Sequence, residues 1–299
     1  MSHDLYMRAC GVEGADPSTL FRSPGFKIEH VAVDSMHAGD LGVFADFVGS
    51  VIDLEVRHNH RTIAEGLRAV NDELEVYYGA NTHLTKASPL SEAQLKDTDA
   101  KFPTLKAKAA QCRHIAGWVR TVVWKHALGR AGVGKIDFRE GHKLHGRTDE
   151  HIAALTKCAD ALVAYHSSCA EVPFDQHRCK GAMMDFLRSY ETLHFLWREG
   201  EDPTLQDDQP FHFRPKAHML MHLACDQLQL WGSPSEFWCY GDEDACGAIK
   251  RIAACTTHMA TIEKRIMEKL MVGAGLRDYL GKSIDCDLGD PIDAEPSAP

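Results

Sequence analysis

The chain has 299 residues, 44% hydrophobic and 25% charged, with a formal net charge of −10 and a pI near 6.0. That is ordinary globular composition, long enough for one large domain or two small ones, and its acidic average argues weakly against a dedicated nucleic-acid binder, which is usually basic. The opening MSHDLYMRACGVEG lacks the apolar core of a secretory leader, and no run of apolar residues is long enough to cross a bilayer. The expectation is therefore a soluble, intracellular protein. Ten cysteines are scattered with no CxxC pair, which reads as reduced thiols and excludes a complete zinc ribbon or finger. Eighteen histidines raise the prospect of metal binding.

Residues 1–25 hold Gly, Asp, Ser and Pro without periodicity and read as an irregular N-terminus. FKIEHVAV, Phe26 to Val33, alternates apolar and polar residues and predicts one short strand. The period then becomes helical, with Leu41, Phe44, Phe47, Val48, Val51 and Leu54 on one face. A second helix is predicted from Arg61 to Tyr78, with Ile63, Leu67, Val70, Leu74 and Tyr77 inward, and a short one is started by Ser91. Pro103, tolerated in a first turn, predicts a long helix to Leu128 with Leu105, Ala109, Cys112, Ile115, Ala116, Val119, Val122 and Val123 on its apolar side. Further helices are predicted from Thr148, as cap, to Cys169, over 175–199, 216–230, 242–254 and 257–279, with a polar loop at 200–210. The acidic, Pro-containing stretch 281–299 is expected to be a disordered tail. The fold class is thus mainly α: about eight helices in a single helical domain over 26–280, with at most one or two short strands.

Charge is unevenly placed. Residues 101–147 contain eleven Lys and Arg against two acids, so the remainder is strongly acidic. Lys106, Arg113, Arg120 and Lys125 are the candidates for contact with a phosphate backbone if they share an exposed surface. If they pair instead with acidic helices, protein partners are the better expectation. The glycine-rich GRAGVGKIDFREGHKLHG lacks the GxxxxGK[ST] spacing and follows no buried strand, so it does not read as a phosphate loop.

Three short motifs carry chemistry. His218 and His222 stand four apart on a predicted helix, where two imidazoles share a face and can grip one zinc ion, although two further ligands are needed. Residue 219 is Met, which rules out HExxH. Glu243, within the acidic Asp242-Glu243-Asp244, falls in the first turn of a predicted helix, where a carboxylate suits the helix dipole and could also ligate a hard divalent cation. Asp34, His37 and Asp40 lie within seven residues and could form a metal or hydrogen-bond cluster, or simply cap the following helix. No nucleophile elbow is present.

Taken in order, the two motif blocks resemble CACTA (En/Spm)-type transposases. PGFKIEHVAVDSMHAGDLGVFADFVGSVI resembles that family's hydrophobic run, D-x-M-H and long helix. RPKAHMLMHLACDQLQLWGSPSEFWCYGDEDACGAIKR resembles its P-x-x-H-x-x-x-H-L segment, short Gly/Pro turn and W-x-Y-x-x-E with a lysine seven residues on. The matching positions are Pro215, His218, His222, Gly232, Pro234, Trp238, Tyr240, Glu243 and Lys250, and the two blocks cover about a quarter of the chain.

The resemblance implies a DDE enzyme with an RNase H-like core, in which three acids hold two Mg²⁺ or Mn²⁺ ions for in-line phosphoryl transfer. Glu243 would be the third acid, and His218 with His222 half of a structural Zn²⁺ site. The chain departs from that pattern in two ways. Only some thirty residues precede D-x-M-H, without the core strands that carry the first two acids, and the CxxC completing the zinc site is missing. The resemblance therefore implies a helical insertion with the last catalytic helix, a truncated mobile-element product that does not cleave DNA alone, in the nucleus. Two other readings stand beside it: a helical protein-interaction module, and a metal-dependent nuclease whose other carboxylates come from a partner chain.

Overall fold

A computed structural model describes residues 7–8, 23–27, 30–57, 62–95, 102–128, 149–198, 210–241, 246–247 and 249–250. Residues 1–240 make one compact unit and 241–299 a second. The first unit is mainly helical, and no strand occurs among the described residues. Its elements are α1 (Met36–Val43), α2 (Phe44–Arg57), α3 (Ile63–Ala80), α4 (Glu92–Leu95), α5 (Ala109–Leu128), α6 (Asp149–Cys169), α7 (Gln176–Arg198), α8 (Lys216–His222), α9 (Leu223–Gln227) and α10 (Leu228–Trp231). A 3₁₀ turn at Pro234–Glu236 follows. The helices predicted over 242–254 and 257–279, the 200–209 part of the polar loop and the tail lie outside the described residues, apart from short helical pieces at 246–247 and 249–250.

α2 lies at the centre. The expected apolar stripe is there, but every residue from Phe44 to Val56 is buried, because α3 and α5 pack against α2 as well as α7. Phe44 and Phe47 meet the edge of Phe186 at ring separations of 4.9 and 5.8 Å, and Phe186 stacks on Tyr190 at 5.6 Å. Near-perpendicular ring pairs of this kind add to simple area burial. α6 and α7 form an antiparallel hairpin that closes the same interior. A central helix must also satisfy its polar side chains. Asp46 accepts two hydrogen bonds from Arg214, both 2.6 Å, and one of 2.8 Å from Thr104. Burial pushes the Asp46 carboxyl up, and the Arg214 charge opposes that shift. Glu55 is bonded to His126 of α5 at 2.6 Å, and the Ser50 hydroxyl accepts the Phe211 amide at 2.9 Å.

The α3 helix starts on a capping box, Thr62 with Glu65, which satisfies two backbone amides reciprocally. The short helix after Ser91 is present as α4. The helix predicted from Pro103 begins instead at Ala109. Residues 104–106 stay extended because their amides are claimed elsewhere: Thr104 donates to Leu95, Leu105 to Ala45 and Lys106 to Gln94. This crossing needs Gly49, since a Cβ there would lie 2.5 Å from the Leu105 nitrogen. The apolar face expected for the helix is nevertheless the buried one, from Ala109 through Val123.

The strand predicted at Phe26–Val33 is not formed at its described residues, 26–27 and 30–33. Residues 31–33 are irregular, and their backbone groups pair with a side chain. Gln227 accepts the Val33 amide at 2.6 Å and donates to the Val31 carbonyl at 3.0 Å. One carboxamide thus supplies the donor and acceptor that a neighbouring strand would offer, which meets the backbone's obligatory bonding without a sheet.

Candidate functional site

The two motif blocks, some 200 residues apart in sequence, pack on each other along a seam between α1 and α8. Gln227 holds Val31 and Val33 at one end, and Lys216 donates to the His37 and Leu41 carbonyls, 2.9 and 3.2 Å, at the other. The pairs 33–227 and 37–216 make the N-terminal segment run antiparallel to α8 and α9. Both sides of the seam carry π-helical winding: Phe44 N–H bonds to Gly39 O and Leu228 N–H to Leu223 O, each five residues back. Among the described residues these are the two π-wound segments. Such an inserted residue redirects side chains and is frequent at functional sites. Lys216 thus bonds two carbonyls of α1 ahead of its kink at Gly42. Burial and the Arg214 charge lower the Lys216 pKa.

Asp34 stands just before α1, and its carboxylate caps the helix. It accepts the Met36 amide at 3.0 Å and the His37 amide at 3.3 Å, and it pairs with the His37 ring Nδ1. From the other block, the Cys239 amide donates to the same carboxylate at 3.1 Å. Burial pushes the Asp34 carboxyl up, but the bonds from His37, Met36 and Cys239 outweigh it and hold the group below its ordinary value. Ligand atoms of Asp34, His37 and Cys239 lie within 4.8 Å of one another.

Asp40 does different work. It is buried, with His166 of α6 on one oxygen at 2.9 Å and the Tyr240 hydroxyl on the other at 2.6 Å. Burial, then the Asp40 charge and its hydrogen bond, push the Tyr240 phenol far above its ordinary value. The network ties α1, α6 and the end of the first unit together and gives each Asp40 oxygen a partner. Trp238 meets the Tyr240 ring edge-on at 5.1 Å, and the Arg113 guanidinium sits 4.5 Å over the Trp238 ring. Gly232, in the left-handed region at φ 77°, ends α10 and turns the chain into this segment, while Ser233 anchors it by donating to the Cys169 carbonyl at 2.8 Å.

His218 and His222 share a face of α8, with Nε2 atoms 3.0 Å apart. Two nitrogens on one tetrahedral zinc at about 2.0–2.1 Å lie about 3.3 Å apart, so a small opening of the pair admits the ion. His222 Nδ1 bonds the Asp226 carboxylate at 2.7 Å, the outer partner that a metal-bound imidazole commonly has. The donor set therefore fits half of a zinc site. Among the described residues no third ligand joins this pair within the same reach. Glu243 and Asp242 lie outside the described residues, and Lys250 is helical and exposed.

The four basic candidates do not form one free stripe. Arg120 bonds Asp160 of α6 at 2.5 Å, Lys125 bonds Glu73 of α3 at 3.0 Å, and Arg113 covers Trp238. Lys106 is exposed ahead of α5. Arg113 and Arg120 are seven apart and share a face, whereas Lys125 points to the opposite neighbour.

Sequence reasoning singled out Asp34, His37, Asp40, Trp238 and Tyr240, and the fold brings all five to the seam. It passed over Cys239, Asp226 and His166. Asp226 carried a local signal, four residues after His222, in α9, which continues α8. His166 carried none, because it meets Asp40 only through the packing of α6.

Comparison with known proteins yields no match: no family model, no curated protein and no solved structure aligns significantly with the chain. No helix among the described residues is long and apolar enough to cross a membrane.

Proposed function

We propose that the chain is a transposase-derived helical domain that works by binding and does not cleave DNA strands on its own. The observation that carries this reading is the meeting of the two motif blocks. Tyr240 donates to Asp40 at 2.6 Å, and the Cys239 amide to Asp34 at 3.1 Å. The segments that resemble the transposases therefore form one continuous seam, as parts of a common ancestral site would.

Loss of cleavage follows from the chemistry of the acids. A two-ion phosphoryl-transfer site needs several carboxylates with oxygens turned to the metals. Asp40 has His166 on one oxygen and Tyr240 on the other, and Asp34 lies beside the imidazole of His37 and the thiol of Cys239. Neither setting is the all-oxygen one that a Mg²⁺ or Mn²⁺ pair takes. On this reading His218 and His222 keep the zinc-type half-site, the 101–147 stretch supplies DNA contact, and the protein works in the nucleus.

A specific observation favours a second reading, a helical module with a protein partner. Arg120 and Lys125 are paired with acids of neighbouring helices, which lowers the charge left for phosphates.

The test combines nicking of labelled duplex DNA in Mg²⁺ or Mn²⁺ with DNA binding by fluorescence anisotropy at two salt concentrations. The proposal expects no nicking by the wild-type chain or by Glu243→Ala, together with salt-sensitive binding. Nicking that disappears in Glu243→Ala would overturn it. Absence of binding by a folded chain would transfer support to the protein-partner reading.

A further inference from the structure

We propose that Asp34, His37 and Cys239 form a binding site for one zinc-class divalent ion, joining the start of α1 to the segment after the 3₁₀ turn. This site stands on its own geometry and does not depend on transposase descent.

Three observations carry it. The three side chains differ in type and come from positions 205 residues apart, yet their ligand atoms all lie within 4.8 Å of one another. Around a tetrahedral zinc, with bonds of about 2.0–2.1 Å to nitrogen or oxygen and about 2.3 Å to sulfur, neighbouring donors stand about 3.3–3.6 Å apart, so modest side-chain adjustment closes the cluster. The backbone is already placed for it, because the Cys239 amide bonds the Asp34 carboxylate and fixes the cysteine beside it. His37, in the first turn of α1, pairs through its ring Nδ1 with the same carboxylate, so the imidazole already lies in the cluster.

The donor set selects the ion. A thiolate and an imidazole disfavour Mg²⁺ and Ca²⁺, which take oxygen ligands, and suit Zn²⁺ or Co²⁺. Binding releases the Cys239 thiol proton to solvent as the sulfur–metal bond forms. Three protein ligands leave a fourth position for water or a donor from a binding partner. His37 is exposed and Asp34 and Cys239 are half-buried, so an ion can enter from solvent. The ion would clip two segments whose other links along the seam are hydrogen bonds.

The experiment uses the full chain, freed of metal by chelator and then titrated with Co²⁺ and, by competition, with Zn²⁺. A near-ultraviolet sulfur-to-cobalt charge-transfer band that saturates at one equivalent is expected. Cys239→Ser should abolish it. His37→Gln, a change at an exposed side chain, should weaken Zn²⁺ binding at least ~10-fold while the far-ultraviolet circular dichroism stays that of the wild type. The double variant His218→Ala/His222→Ala should keep the band. No band in the wild type, or a band unchanged in Cys239→Ser and in His37→Gln, would overturn the proposal. Loss of the metal in the double histidine variant alone would assign the ion to the His218–His222 pair and would equally overturn it.

Discussion

The interior around α2 and the seam between α1 and α8 solve the same task, holding distant parts of the chain together, with different chemistry. Around α2, Phe44, Phe47, Phe186 and Tyr190 interlock at ring separations of 4.9–6.2 Å. That contact is undirected, and its strength grows with the area removed from water. At the seam the links are single, aimed bonds: Gln227 to Val31 and Val33, Lys216 to His37, and Tyr240 to Asp40. Each is worth about 1–3 kcal/mol net, more where a charged group takes part, because water competes for the same groups. The apolar interior supplies most of the stability and the seam supplies most of the titratable chemistry. A binding site belongs on the second kind of surface, where half-exposed groups remain reachable and adjustable.

Truncating the interior should therefore have the largest effect. Phe186→Ala removes a fully buried ring that touches Phe44, Phe47 and Tyr190. A loss of about 3–5 kcal/mol is expected in denaturant unfolding. A loss under about 1 kcal/mol would mean that α2 and α7 are not packed as described.

Acid should come next, in two stages. Burial lowers the pKa of His114, His194 and His212 below the ordinary 6.5. The unfolded chain then binds protons first, so stability is full above 6.5 and is lost as pH falls through the lowered values. Asp34, held below 3.8, contributes stability above that value and loses it at lower pH still. Asp46, whose carboxyl burial pushes up, acts in the opposite sense between these stages. Melting temperatures from pH 7.5 to 3 should show the first decline beginning near 6.5, and His194→Gln should shrink it. A profile flat between 7 and 5 would break this assignment.

A smaller effect is expected at the seam. Gln227→Ala strips partners from two backbone groups that water can partly replace, at a cost of about 1–2 kcal/mol. Amide exchange should accelerate at Val33 in this variant while the protection of α2 and α7 is retained. Equal acceleration in both regions would show that the seam and the interior unfold as one body, against the contrast drawn above.

The sequence made part of this legible. The buried face of α5 followed from its helical period, whereas the helix predicted from Arg61 did not use the local signal of Thr62 and Glu65, the capping box that starts α3. The period also drew the first helix correctly but showed only a stripe of it, because full burial of α2 depends on how many neighbours surround it. Pro103 is compatible with a helix start, yet α5 begins six residues later. The competing bonds to Leu95, Ala45 and Gln94 come from elsewhere in the fold. The alternation at Phe26–Val33 reads as strand, and only the long-range Gln227 carboxamide explains why no second strand is needed. Asp34 and His37 were visible because a helix start holds them side by side. Cys239 reaches Asp34, and His166 reaches Asp40, through tertiary packing that has no local signature.

The account rests most heavily on the meeting of the two motif blocks, and a double-mutant cycle on Asp40 and Tyr240 tests it most directly. Unfolding free energies would be measured for the wild type, Asp40→Asn, Tyr240→Phe and the double variant. Direct contact through the 2.6 Å bond predicts a coupling of about 1–3 kcal/mol. Effects that add to within about 0.3–0.5 kcal/mol would mean the residues do not touch, and would contradict the seam on which the proposed function stands.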